Sequence, residues 1–203
     1  MLRVGLTGGL ASGKSFVGHA LADFGCYLIE ADKLGHEVML QGGEAYDGII
    51  GEFGPSILDA EGRISRRKLS GMVWEYPERL EKLNQLVHPP VQEREEDAMA
   101  AIGRRDPRAI VVVEAAILVE TGRYKSFDRL IVVTCTGEQQ MERALERGSY
   151  SREEIQARLA RQLPLKEKLK VADYVIDTSG SKEATIEQVR RVYGALLSLR
   201  GGV

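Results

Sequence analysis

Residues 8–15 read Gly8-Gly9-Leu10-Ala11-Ser12-Gly13-Lys14-Ser15, a complete G-x-x-x-x-G-K-[ST] phosphate loop. Glycines let main-chain N–H groups close around phosphate oxygens, and a helix starting at the loop adds the positive end of its dipole. The Lys14 ammonium would reach the β- and γ-phosphates, and the Ser15 hydroxyl would ligate Mg²⁺. The motif therefore nominates Gly8, Gly9, Ala11, Ser12, Gly13, Lys14, Ser15 and Phe16 as nucleotide-binding residues.

Carboxylates and arginines elsewhere could act on a bound triphosphate. Glu30 and Asp32 close the run Leu28-Ile29-Glu30-Ala31-Asp32. At the carboxyl end of a strand, such a carboxylate would aim a phosphoryl-accepting hydroxyl in line and take its proton. Asp32 suits a helix N-cap for a stretch beginning at Lys33 equally well. Glu114 closes the apolar run before it, where a carboxylate would touch Mg²⁺ directly or through water; a surface-facing strand end is the alternative, and Glu120 follows six residues on. Arg143 and Arg147, four apart, share a helix face and would neutralise charge on a transferring group. Glu138, Glu142 and Glu146 on the same helix allow a solvated, salt-bridged face instead.

Arg63, Arg66, Arg67 and Lys68 form a basic cluster that would suit a substrate with its own phosphates, or a charged solvent face. His88-Pro89-Pro90 interrupts a long helical pattern; His88, His19 and His36 have no metal-ligand spacing and read as structural. Asp59-Ala60-Glu61-Gly62 fits the D-x-x-G of GTPase switches. However, Arg63 stands where a water-orienting Gln would be needed, and Asn84 is the sole asparagine, so no N-K-x-D exists. Asp59–Gly62 reads as a turn.

The elements that must position these residues follow from pattern. Leu2–Leu6, Cys26–Ile29, Ala109–Val113, Arg129–Thr134 and Tyr174–Ile176 are short apolar runs alternating with helical patterns. This predicts an α/β chain with a parallel five-stranded sheet covered on both faces. The stretch between the second and third strands far exceeds one crossover helix. Glu37–Gly51, Arg67–Trp74 and Pro77–Ile102 read as helices there, making about 33–105 a helical insertion. A second excursion over 137–172 is rich in Arg and Lys, and a last helix runs from Lys182 to Leu199.

With 203 residues, 43 % hydrophobic and 29 % charged, the composition is that of one globular domain rather than a disordered chain. A net charge of −2 argues against general nucleic-acid binding. Cys26 and Cys135 lie in predicted strands without a C-x-x-C, as buried thiols of a reducing compartment would. The chain enters a strand with no signal peptide, and Ala109–Val119, broken by Glu114, is too short to span a bilayer. The expectation is a cytoplasmic protein with no nucleic-acid or membrane partner, monomeric or a small homo-oligomer.

Taken in order, the motifs closely resemble the dephospho-CoA kinase family over nearly the whole chain. Residues 5–15 resemble its G-L-T-G-G-x-x-S-G-K-S, and Ile29-Glu30-Ala31-Asp32 its I-D-A-D. Gly62-x-Ile64-x-Arg66-x-x-Leu69, Leu83-Asn84 with His88-Pro89, and Gln139, Arg143 and Arg147 follow in the family's sequence. Arg158, Gln162, Ala172-Asp173 and Val175-Ile176-Asp177 complete it.

The resemblance implies a P-loop kinase that moves the ATP γ-phosphoryl group, with Mg²⁺, to the ribose 3′-hydroxyl of dephospho-CoA. It implies Asp32 as general base, Lys14 and Ser15 on phosphate and metal, and Arg147 with Arg143 as a clamp from a lid at about 137–165. Asp32, Arg66, His88, Ile117 and Leu118 fall on its acceptor side. Four positions depart from the family pattern: Glu30 for Asp, Phe16 for Thr, Ala116 for Pro and Thr178 for Asn. Another small-molecule kinase of the shikimate or nucleotide type, or a nucleotide-gated switch, are the competing readings.

Overall fold

A computed structural model describes residues 1–73, 76–148 and 151–200. The apolar runs become β1 (Leu2–Gly8), β2 (Tyr27–Glu30), β3 (Ile110–Glu114), β4 (Arg129–Thr134) and β5 (Tyr174–Asp177), ordered β2-β3-β1-β4-β5. β1 pairs in parallel with β3 and β4, and β4 with β5. Every residue of β3 and residues 130–133 of β4 are buried, as strands covered on both faces must be. Helices α1 (Lys14–Asp23) and α9 (Lys182–Arg200) bring Val17, Leu21, Val189 and Leu196 against Val4, Leu6, Val112, Ile131 and Ile176. β1 is the central strand where the chain's winding reverses, so its carboxyl end opens at the point where open α/β sheets take ligands.

The chain divides into two compact units, Met1–Ile29 with Ala101–Val203, and Glu30–Ala100. The second holds α2 (Ala31–Glu37), α3 (Tyr46–Phe53), α4 (Arg66–Val73) and most of α5 (Pro77–Arg105). Val38, Ile49, Phe53, Ile57, Leu69, Val73 and Val91 form its core.

Several expectations need correction. The helix read over Glu37–Gly51 is helical only from Tyr46, because α2 ends at Glu37 and a turn separates it from α3. Gly42 has φ +81°, the Ala45 N–H donates back to the Val38 carbonyl at 2.9 Å, and a Cβ on Gly43 would lie 2.5 Å from that oxygen. The helix read over Arg67–Trp74 is α4, with Trp74 outside the described residues. His88-Pro89-Pro90 does not interrupt α5, which runs through both prolines. Val91, Glu95 and Met99 follow at a spacing of four and are buried, so packing outweighs the lost main-chain donors.

Cys26 and Cys135 flank β2 and β4 rather than lying in them, and both are free and buried. Burial pushes the Cys26 thiol up to about 12 and raises Cys135 as well, so neither is an activated nucleophile. Among the described residues no helix is long and apolar enough to cross a membrane.

Candidate active site

β1 delivers the phosphate loop directly onto α1. Gly13 is the N-cap residue at φ 90°, and Ala11 also adopts the left-handed region at φ 53°. Gly8 has to be glycine because a Cβ there would meet the Val133 carbonyl oxygen of β4 at 2.4 Å. Lys14 Nζ lies across the loop, donating to the carbonyls of Gly8 at 3.2 Å and Gly9 at 2.9 Å.

Ser15 Oγ donates to Glu114 Oε1 at 2.8 Å. Glu114 reaches that position because β3 pairs with β1 in a register that sets it opposite Leu6. A hydroxyl beside a carboxylate is a hard-oxygen donor pair, suited to Mg²⁺ that takes its other ligands from phosphates and water. Among the described residues no group of three or more His, Cys, Asp or Glu side chains forms an all-protein metal cage. The pair fits a cation that takes its remaining ligands from a nucleotide and water.

Beyond β4, a capping box on Thr136 starts α6 (Gly137–Glu146) and another on Ser151 starts α7 (Arg152–Arg161). Side chains of α6 hold it to residues distant in sequence. Gln139 Nε2 donates to the Ser179 carbonyl at 2.8 Å, and Arg143 donates to Thr178 Oγ1 at 2.9 Å and to its carbonyl at 2.7 Å. The Thr178 hydroxyl in turn donates to the Ser12 carbonyl at 2.8 Å. A Cβ on Gly13 would touch Thr178 at 3.1 Å. Thr178 thus ties the loop to the arginine.

Arg147 is the exposed C-cap residue of α6 and continues the Arg143 face. Both line a cavity of about 470 Å³ with Ala11, Gly13, Phe16 and Thr178, a size that suits a nucleoside. The loop, Ser15, Glu114, Arg143 and Arg147 therefore converge within the first unit.

Of the remaining candidates, Glu30, Asp32, Arg66 and His88 lie in the second unit, and Ile117 and Leu118 in the first. Asp32 is exposed and is the second residue of α2. Glu30 occupies the N-cap position, so the N-cap alternative for Asp32 is not what it does. Glu30 is paired with Lys33. Arg66 Nη1 donates to His36 Nε2 at 2.7 Å. Burial, and then the Arg66 charge, hold the His36 imidazole below its usual range against the opposite pull of Asp32. A neutral ring is what lets Nε2 accept that bond.

His36 and Arg66 line a cavity of about 210 Å³ with Arg63, Met39, Leu40 and Ile64. Arg63 is bound by Asp59 and Glu61, both at 2.9 Å, in the turn that the D-x-x-G segment forms. His88 is half-buried within α5, and His19 Nδ1 bonds the Ser15 carbonyl of its own helix at 2.7 Å.

Of the acceptor-side pair, Leu118 is only 1 % exposed and packs towards Gly5, so its side chain belongs to the core; Ile117 is half-buried. In the sequence Lys168 is one of many basic residues of the 137–172 stretch. It lies in α8 (Leu165–Leu169), is 1 % exposed, and pairs with Glu120 at 2.6 Å. Lys168 Nζ and Thr7 Oγ1 both donate to the Ala116 carbonyl at 3.1 Å. Glu120 also accepts from the Leu163 N–H at 3.1 Å. These bonds fix the segment after β3 where the usual proline is missing. No local signal marks Lys168, because its partners are remote in sequence. Lys168→Met should cost about 3 kcal/mol, lowering the melting midpoint by roughly 6–12 °C. A thermal scan checks this, and a shift near zero would show that the pair contributes nothing net.

A dephospho-CoA kinase family model matches residues 2–184. The dephospho-CoA kinase of Aquifex aeolicus strain VF5 is 41 % identical over 196 residues, covering 97 % of this chain and 98 % of that protein. The crystal structure of TT1252 from Thermus thermophilus superposes with a TM-score of 0.81 at 29 % identity, covering 96 % of each chain. Shikimate kinase from Acinetobacter baumannii, at 16 % identity and a TM-score of 0.52 over 98 % of this chain and 94 % of its own, shares the fold alone. With a P-loop kinase fold, an intact phosphate loop and a family match over most of its length, the chain belongs to the dephospho-CoA kinase family.

Proposed function

We propose that this chain performs the last step of coenzyme A biosynthesis, transferring the γ-phosphoryl group of ATP to the ribose 3′-hydroxyl of dephospho-CoA. The observation that carries the reading is an intact phosphate loop, with Lys14, Ser15 and Glu114 gathered on it, in a chain of this family.

In this reading Lys14 and the loop N–H groups hold the β- and γ-phosphates, and the cavity beside Phe16 and Thr178 takes the nucleoside. Ser15 and Glu114 would hold Mg²⁺, which when bound neutralises phosphate charge and fixes the triphosphate. Asp32 aims the 3′-hydroxyl and takes its proton as oxygen bonds to the γ-phosphorus and the bond to ADP breaks. Arg143 and Arg147 neutralise charge on the transferring group. Residues of about 33–105, with Arg66 and His88, serve the acceptor; Ile117 and Leu118 contribute through main chain. The segment at about 137–165 excludes water, since a leak would hydrolyse ATP. The free, buried cysteines suit a reducing cytoplasm.

The test is ADP release from Mg·ATP with dephospho-CoA, shikimate, AMP and adenosine as parallel acceptors. Stimulation by dephospho-CoA alone is expected. Equal or better stimulation by another acceptor would reassign the substrate, and slow hydrolysis indifferent to every acceptor would favour a nucleotide-gated switch.

A further inference from the structure

Leu10, between Gly9 and Ala11 of the phosphate loop, has both of its main-chain polar groups taken by side chains far away in sequence. Its N–H donates to Gln162 Oε1 at 3.0 Å, and its carbonyl accepts from Gln140 Nε2 at 3.0 Å. Gln140 lies within α6, and Gln162 is the C-cap residue of α7. The two helices also lay apolar side chains on the loop, with Met141, Ala144, Ile155 and Leu159 packed around Leu10 and Ala11.

Gly9 supplies an independent observation. The G-x-x-x-x-G-K-[ST] pattern does not require glycine there, yet a Cβ at Gly9 would come 2.2 Å from Gln140 Nε2. The amide of Gln140 occupies the space that a side chain would need.

We propose that Gln140 and Gln162 are positioning residues for phosphoryl transfer, a two-sided clamp on Leu10 that keeps the α6–α7 arm in register with the phosphate loop. The proposal rests on the phosphotransferase reading above. The arm carries Arg143, Arg147 and Arg158, whose value depends on where their guanidinium groups stand relative to the phosphates. A displacement near 1 Å at such a group costs about a hundredfold in rate.

The two hydrogen bonds run in opposite directions, which gives a test insensitive to charge and size. Gln162→Glu keeps an oxygen that accepts from the Leu10 N–H. Gln140→Glu removes the donor and sets a carboxylate against the Leu10 carbonyl. Both variants add the same charge at the same side-chain length. Gln140→Glu should lower kcat for CoA formation by about ten- to a hundredfold and raise the ADP released per CoA formed, a loss about tenfold greater than that of Gln162→Glu. Lysine reverses the pattern, with Gln140→Lys retaining a donor and Gln162→Lys losing the acceptor.

Thermal midpoints are recorded for all four variants. Equal losses in the two Glu variants overturn the clamp. So does a loss that follows the melting midpoint with an unchanged ADP-to-CoA ratio, which would mark Gln140 as merely structural. A wild-type protein that forms no CoA overturns the phosphotransferase reading itself.

Discussion

Asp32→Asn should retain Mg·ATP binding and lose turnover by about 10²–10⁴-fold, the usual weight of a positioned general base. The neutral amide keeps the size of the side chain and removes its charge together with its capacity to take a proton. Stability should change little: Asp32 is exposed and does not occupy the N-cap position of α2, so the loss is confined to a favourable charge near a helix start, at most about 1 kcal/mol. ATP affinity should hold because the loop, Ser15 and Glu114 are supplied by other elements. Steady-state kcat, an equilibrium ATP titration and a thermal scan on one preparation separate these effects. Turnover within twofold of wild type would remove Asp32 from the chemistry. Glu30→Gln is the matched control and should cost far less, since Glu30 is engaged by Lys33.

Lys14→Ala is the second large effect, and it should damage both binding and rate. Its ammonium bridges the Gly8 and Gly9 carbonyls and is the positive charge expected on the β- and γ-phosphates. Removing one preorganised donor from a developing charge costs about 10²–10³-fold in kcat, or roughly 3–4 kcal/mol, and ATP affinity should fall with it. Lys14→Arg should not rescue, because a planar fork cannot replace a compact point charge in a loop closed by glycines. A kcat/KM series over ATP concentration checks this. Unchanged kcat/KM in Lys14→Ala would contradict the phosphate-loop assignment.

The parts of this site legible in the sequence are those written within a few residues. The phosphate loop between β1 and α1 is such a part, since a glycine turn needs only its flanking strand and helix to be recognised. β3 and β4 were legible as continuous apolar runs because both faces are covered. Arg143 and Arg147 could be placed on one face by spacing alone.

What the sequence withheld depends on tertiary partners. Thr178 reads as a departure from a family pattern, yet it joins Ser12 to Arg143. Lys168 reads as one more surface cation, yet it is buried on Glu120 and the Ala116 carbonyl. Pro89-Pro90 reads as a break, but the buried side chains that follow hold α5 through it. The turn at Gly42-Gly43 failed in the other direction, where helical periodicity masked two glycines placed for a reversal. Asp32 was ambiguous between capping and chemistry, and the position of Glu30 at the helix start settles only the first half.

Transfer and hydrolysis are told apart most directly by the ratio of CoA formed to ADP released, followed in one Mg·ATP and dephospho-CoA reaction with wild-type protein. Transfer to the acceptor hydroxyl predicts one CoA for each ADP, with no inorganic phosphate accumulating. ADP and phosphate appearing together without CoA would contradict the account, leaving a nucleotide hydrolase on a kinase fold.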